Sequence, residues 1–252
     1  TVGVCQLVQH DALDAATQGF QDALEEKLGY KVKIEVENAS GDSATCATIT
    51  TQFVNDNVDL IMANATPALQ AAMAATADIP IVATSVTDFA TALDISDWTG
   101  KTGINVTGTA DLAPLDEQAA MVKELVPDAK TVGILYCSAE PNSKYQAETV
   151  TDELEKLGFE VKDYTVADTN EISSVTKKAC DEVDCIYIPT DNTIASATAA
   201  VNEIATPANI PIIAGEEGIC KGCGVATLSI SYYSIGYKAG EMAYDILVNG
   251  KD

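Results

Sequence analysis

Hydroxyl, amide and acidic side chains gather in short segments that each follow an apolar run. Gln9-His10-Asp11 follows the first run, with Asp14 close behind. Asn64-Ala65-Thr66-Pro67 and Thr84-Ser85-Val86-Thr87-Asp88 follow two more. In the second half of the chain Ser138-Ala139-Glu140-Pro141-Asn142-Ser143, Pro189-Thr190-Asp191-Asn192-Thr193 and Gly215-Glu216-Glu217-Gly218 hold the matching places. This chemistry suits binding rather than catalysis. There is one histidine and no arginine, and no G-x-S-x-G, H-E-x-x-H, P-loop or G-x-G-x-x-G motif occurs, so acid–base and phosphoryl-transfer constellations are poorly supplied. No catalytic residue is assigned, and the chain is not expected to be an enzyme. Pro67 fits the first turn of a helix, which predicts Thr66 at the N-cap. The free N–H groups and positive dipole end of such a helix would accept a carboxylate without arginine. Glu140, Asp191 and Glu216 offer the opposite charge. The expected ligand is a small zwitterion, its carboxylate on the first half and its ammonium on the second.

These segments need elements to position them. Apolar, β-branched strands are predicted at Val2–Val8, Val32–Val36, Leu60–Ala63, Ile79–Ala83, Thr131–Tyr136, Val161–Val166, Cys185–Ile188, Ile210–Ile213 and Val225–Ile230. Helical spacing lies between them, among others at Ala12–Leu28, Ala44–Asn55, Ala68–Thr76, Leu115–Leu125, Lys144–Leu157, Ile194–Thr206 and Tyr233–Val248. Such alternation predicts an α/β protein with parallel sheets flanked by helices.

The two halves also repeat. TVGVCQL resembles TVGILYC, LGYKVKIEVENA resembles LGFEVKDYTVAD, NDNVDLIMANAT resembles ACDEVDCIYIPTD, and ADIPIVATS resembles ANIPIIAGE, all at offsets of about 130 residues. Two similar Rossmann-like lobes follow: 1–110 with 231–252, and 113–228. The chain crosses between them near 107–114 and 228–232, a multi-strand hinge. Ligands of open parallel sheets bind at the carboxyl ends of the strands. The candidate ligand-binding residues are therefore His10, Asp14, Asn64, Thr66, Pro67, Ser85, Val86, Thr87, Asp88, Ser138, Glu140, Asn142, Ser143, Thr190, Asp191, Asn192 and Glu216. Tyr232, at the crossing, is a candidate for stacking. Trp98, on a glycine-flanked loop, is expected to pack.

Composition removes several classes. The 252 residues carry 38 acidic and 14 basic side chains, a net charge of −24. Nucleic acids and anionic membranes are disfavoured partners, and a guanidinium clamp is impossible. No apolar run reaches the roughly 20 residues that span a bilayer, and no charged n-region with an apolar h-region precedes TVGVCQLV. Seven cysteines, one C-x-x-C (Cys220–Cys223) and a lone histidine imply neither a disulfide framework nor a zinc site. No metal and no cofactor is expected.

The segments QLVQHDALDAATQGFQDAL, NATPALQAAMAAT, SVTDFATA, LYCSAEPNS, IYIPTDNTIASA, PIIAGEEGICKGCGVAT and SISYYSIGYKAGEMA resemble the ABC-transporter substrate-binding family that includes tryptophan-binding TrpX-like proteins, over nearly the whole chain. The resemblance implies the type I periplasmic-binding-protein fold and closure of the two lobes about their hinge on a ligand in the cleft between them. It implies placement outside the cytoplasm, periplasmic or by a lipid anchor, and an ABC permease as partner, with the chain acting as a monomer. It points to tryptophan, phenylalanine or tyrosine as ligand and to Thr66, Ser85, Thr87, Asp88, Asn142, Asp191, Asn192 and Glu216 as cleft-lining. The chain departs from many relatives at Asp11, where they have proline, and at Ser231, where they have aspartate. A nucleoside or sugar ligand, or a sensing module of the same fold, are the alternatives.

Overall fold

A computed structural model describes residues 1–251 and divides them into two units, Thr1–Leu112 with the segment from Ser231 onward, and Ala113–Ile230. The first unit begins β1 (Val2–Gln6), α1 (Asp11–Leu28), β2 (Ile34–Asn38), α2 (Ser43–Asn55), β3 (Leu60–Asn64), α3 (Thr66–Ala75), β4 (Ile81–Val86), α4 (Phe89–Ala92) and β5 (Val106–Ala110). Its five strands are parallel in the order β2-β1-β3-β4-β5. Strands β1, β3 and β4 are buried along their whole length, because helices cover both faces of the sheet. Hence these strands read as unbroken apolar runs rather than alternating ones.

The second unit holds α5 (Leu115–Leu125), β6 (Thr131–Cys137), α6 (Pro141–Lys156), β7 (Glu160–Val166), α7 (Ile172–Glu182), β8 (Cys185–Ile188), α8 (Asn192–Ala195), α9 (Thr198–Ala208), β9 (Ile212–Ala214), α10 (Glu217–Cys223) and β10 (Ala226–Thr227). Its sheet is again parallel, in the order β7-β6-β8-β9-β10. Strand for strand this is the order of the first sheet, so the repeat in sequence is a repeat in topology.

The chain then returns to the first unit as α11 (Tyr232–Asn249). Phe20 and Leu24 of α1, Ala239 and Ala243 of α11, and Val2, Val4, Leu60, Met62 and Val82 of the sheet form one apolar layer. Full burial of a side chain such as Phe20 stabilises by about 1.5–3 kcal/mol. The two helices approach closely enough that a Cβ on Gly236 would stand 1.9 Å from the Ala16 carbonyl oxygen, and one on Gly19 would stand 2.2 Å from that of Tyr233. Neither glycine can be replaced without moving a helix.

Several elements differ from the sequence expectation. The stretch expected as a single helix from Ile194 breaks at Ser196–Ala197 into α8 and α9. The strand expected at Val225–Ile230 shrinks to Ala226–Thr227. Strand β5 occupies residues assigned to a loop and a crossing; its Thr107-Gly108-Thr109 centre carries too little apolar surface to read as a strand. Trp98 does not pack into the core. It is 41% exposed and borders a cavity of about 640 Å³ with Phe89, Lys101 and Ile104.

Candidate functional site

In the first unit the carboxyl edge of the sheet is distorted at two adjacent places. The Ala65 N–H donates to the Thr84 carbonyl at 3.0 Å, which sets the ends of β3 and β4 side by side. Ala65 has φ 93 and ψ 159, a region that is almost reserved for glycine and costs about 1–3 kcal/mol. Strand β4 carries a bulge between Ala83 and Val86, and Ser85 within it has φ 56. Bulges re-aim side chains, and strained backbone gathers where function holds it in place.

The hydroxyls that this distortion presents are Thr66 Oγ1 and Ser85 Oγ. Both are buried, and neither has a hydrogen-bond partner. Buried polar atoms are nearly always bonded, so two orphans on neighbouring strand ends mark a place where outside groups bind. The N-cap of α3 is Ala65, not Thr66 as expected from sequence; Thr66 is the first helical residue and Pro67 the second. The reason is the strained Ala65, which starts the helix one residue early and frees the Thr66 hydroxyl. Val86 and Thr87 are buried beside Ser85. Asp88 is half-buried and caps α4, accepting from the Thr91 N–H at 2.7 Å.

Behind this edge lies a polar network that ties α1 to the sheet. The Asn64 amide donates to the Leu13 carbonyl and to Thr17 Oγ1, both at 2.9 Å. Thr17 donates to Gln6 Oε1 at 2.6 Å, and the Gln6 amide donates to Asp14 at 2.6 Å. Asn64 and Asp14 therefore fix the helix against the strands. His10 stands at the N-cap position of α1 without a side-chain cap bond. One further acid, not singled out in the sequence, is buried here. Asp111 follows β5, its N–H donates to the Val86 carbonyl at 3.1 Å, and its carboxylate accepts from the Tyr232 hydroxyl at 2.7 Å. Burial pushes its carboxyl upward from the ordinary range, against the downward pull of hydrogen bonds from Tyr232 and Thr87.

The matching edge of the second unit is built differently. Glu140 is buried and accepts five bonds: from the N–H and side-chain amide of Asn192 at 3.1 and 2.6 Å, from the N–H and hydroxyl of Thr193 at 2.8 Å each, and from the Asn142 amide at 3.0 Å. Asp191 caps α8 through the Ile194 N–H at 2.7 Å and holds the end of β6 through the Cys137 N–H at 2.6 Å. Its carboxyl is pushed up to about 7, first by burial and then by the neighbouring Glu140 carboxylate, while hydrogen bonds from Cys137, Ile194 and Ser143 oppose the shift. Glu216 caps α10, receiving the Gly218 N–H at 2.6 Å and the Ile219 N–H. Thr190 is clasped by Gln146, to which its N–H donates at 3.1 Å. Ser143 is fully buried, and the exposed Ser138 donates to the Val166 carbonyl at 3.3 Å.

Glu140, Asp191 and Glu216 are the acids expected to meet an ammonium group, and in the structure each has a structural task as well. All three are buried N-cap or loop-fixing acceptors already engaged by backbone donors. The acidic residues are legible in the sequence but their partners are not, because N-capping and ligand recognition use the same residue types. Among the described residues no group of three or more His, Cys, Asp or Glu is placed to hold a metal ion, and no helix is long and apolar enough to cross a membrane.

Two parallel sheets of the same strand order, each flanked by helices and each with a polar carboxyl edge, define the type I periplasmic-binding-protein fold. Residues 1–252 match the family model described as ABC transporter substrate binding protein, and the chain belongs to that family. It is 41% identical over 250 residues to the tyrosine-binding protein of Clostridioides difficile, covering 98% of this chain and 72% of that one. It superposes with a TM-score of 0.95 and 36% identity on an ABC domain from Streptococcus pneumoniae crystallised in complex with L-Trp, covering 100% of this chain and 86% of that one. A conserved domain protein of Vibrio cholerae gives 0.94 and 33%, covering 99% and 85%.

Proposed function

We propose that this protein captures an aromatic amino acid outside the cytoplasmic membrane and delivers it to the permease of an ABC importer, acting as a monomer without catalysis. The observation that carries the reading is the pair of buried, unbonded hydroxyls of Thr66 and Ser85 at adjacent strand ends. An incoming carboxylate would satisfy both, aided by the first N–H groups of α3. The class of ligand rests on the relatives, one named for tyrosine and one crystallised with L-Trp. Placement outside the cytoplasm, periplasmic or on a lipid anchor, is supported by the role of the family.

The test is a thermal-shift screen against the twenty amino acids, nucleosides and simple sugars. A ligand at about 100 times its dissociation constant adds about 2.7 kcal/mol, which for a chain of this size is roughly 5–10 °C. Shifts confined to tyrosine, tryptophan or phenylalanine are expected. A shift with a nucleoside or sugar alone would sink the amino-acid reading.

A further inference from the structure

An α-amino acid carries its carboxylate and its ammonium on one carbon, so the groups that bind them have to be neighbours. In the second unit Glu140, Asp191 and Glu216 are each engaged by backbone N–H donors. The first unit holds an acid that is differently placed. Asp111 is 5% exposed, and its carboxylate faces the hydroxyls of Tyr232 and Thr87 rather than any cation. Among the described residues no lysine, nor the N-terminus, lies within ion-pair distance of it. Its backbone bond to Val86 sets it beside the Ser85 bulge, where a hydroxyl without a partner already waits. A buried carboxylate without a counter-charge is costly. Its cost is offset when a cation arrives, and that makes such a group a receptor.

We propose that Asp111 receives the ammonium group of the ligand, so that the first unit alone reads the whole amino-acid head group: carboxylate on Thr66 and Ser85, ammonium on Asp111. Tyr232 then acts as a positioning residue, its hydroxyl orienting the carboxylate. This rests on the amino-acid reading above and changes where the charge recognition sits.

Titration calorimetry on the wild type and Asp111→Asn, with L-Trp and L-Tyr and with their des-amino analogues, indole-3-propionate and 3-(4-hydroxyphenyl)propionate, tests it. Asparagine keeps the shape and can still accept from Tyr232. D111N should lower affinity for the amino acids by about 100-fold, as loss of a charge-assisted bond does, and leave the des-amino analogues within about threefold of wild type. Amino-acid affinity unchanged in D111N, or an equal loss for both ligand sets, overturns the assignment. If D111N fails to fold, Asp111→Ser replaces it with the same expectation. A wild type that binds none of the amino acids overturns the functional reading itself, a result separable from the others because it appears before any mutation is made.

Discussion

The carboxyl edge formed by β3 and β4 in the first unit and the one formed by β8 and β9 in the second hold matching places in the repeat and are built in opposite ways. At β4 the backbone is bent into a bulge, Ser85 takes a left-handed conformation, and two buried hydroxyls are left unbonded. At β8 the turn is regular, Asp191 caps the following helix, and the acidic groups are bonded to backbone N–H groups. The first edge keeps strain and two unbonded hydroxyls; at the second, Glu140, Asp191 and Glu216 accept from backbone N–H groups and a buried Asn142 Oδ1 is left unbonded. The difference teaches that polar loops at equivalent positions need not share a role.

This contrast can be broken most forcefully at Glu140. Replacing it with alanine strands five donors in a buried loop, and urea unfolding should show a loss of about 3–5 kcal/mol. Conserved stability in Glu140→Ala would mean the second edge is not held as described. The same edge should respond to pH. Asp191 has its carboxyl raised to about 7 by burial and Glu140. A group raised in the folded state stabilises below its ordinary range, and that stability is lost as pH rises through the folded value. Urea midpoints should therefore fall between pH 5 and pH 8, and fall less in Glu140→Gln, which removes the neighbouring charge.

The first edge should behave in the reverse way. Thr66→Val and Ser85→Ala remove hydroxyls that have no partner, so unfolding free energies should move by less than about 0.5 kcal/mol. Each should nonetheless weaken ligand binding by about tenfold. Loss of stability with intact binding would exchange the roles of the two edges. A change in stability alone, with no loss of binding, is expected at Ala65→Gly. Glycine relieves the strained conformation, a gain of about 1 kcal/mol after the entropic cost of glycine itself, readable as a rise in the thermal midpoint of the ligand-free protein.

Much of the architecture was legible in the sequence. The offsets near 130 residues gave two units, and unbroken apolar runs gave β1, β3, β4, β6 and β8, because strands covered on both faces need no alternation. Strand β5 was not legible, since Gly108 is required by the close approach to Ala83, whose carbonyl oxygen would lie 2.0 Å from a Cβ there, and its neighbours are threonines. The break between α8 and α9 has no proline or glycine to announce it. Loops at strand ends were found as a class, because chain topology places them. Which of their buried polar atoms are bonded was not, because Asp191 and Ser85 differ in what touches them rather than in what they are. Gln6, Thr17 and Gln146, which hold the edges from behind, sit inside a strand or helices where the sequence pattern gives polar residues no distinguishing mark.

The packing of α11 on α1 carries a consequence in time. The second unit is one continuous stretch of chain, whereas the first lacks a layer of its core until residues beyond Ser231 arrive. Domains generally fold as units, N-terminal first as the chain emerges. Here Phe20 and Leu24 gain the Ala239 and Ala243 side of their apolar layer from a helix that follows the whole second unit in the chain. The segment beyond Ser231 thus completes a unit whose strands all precede the second unit along the chain.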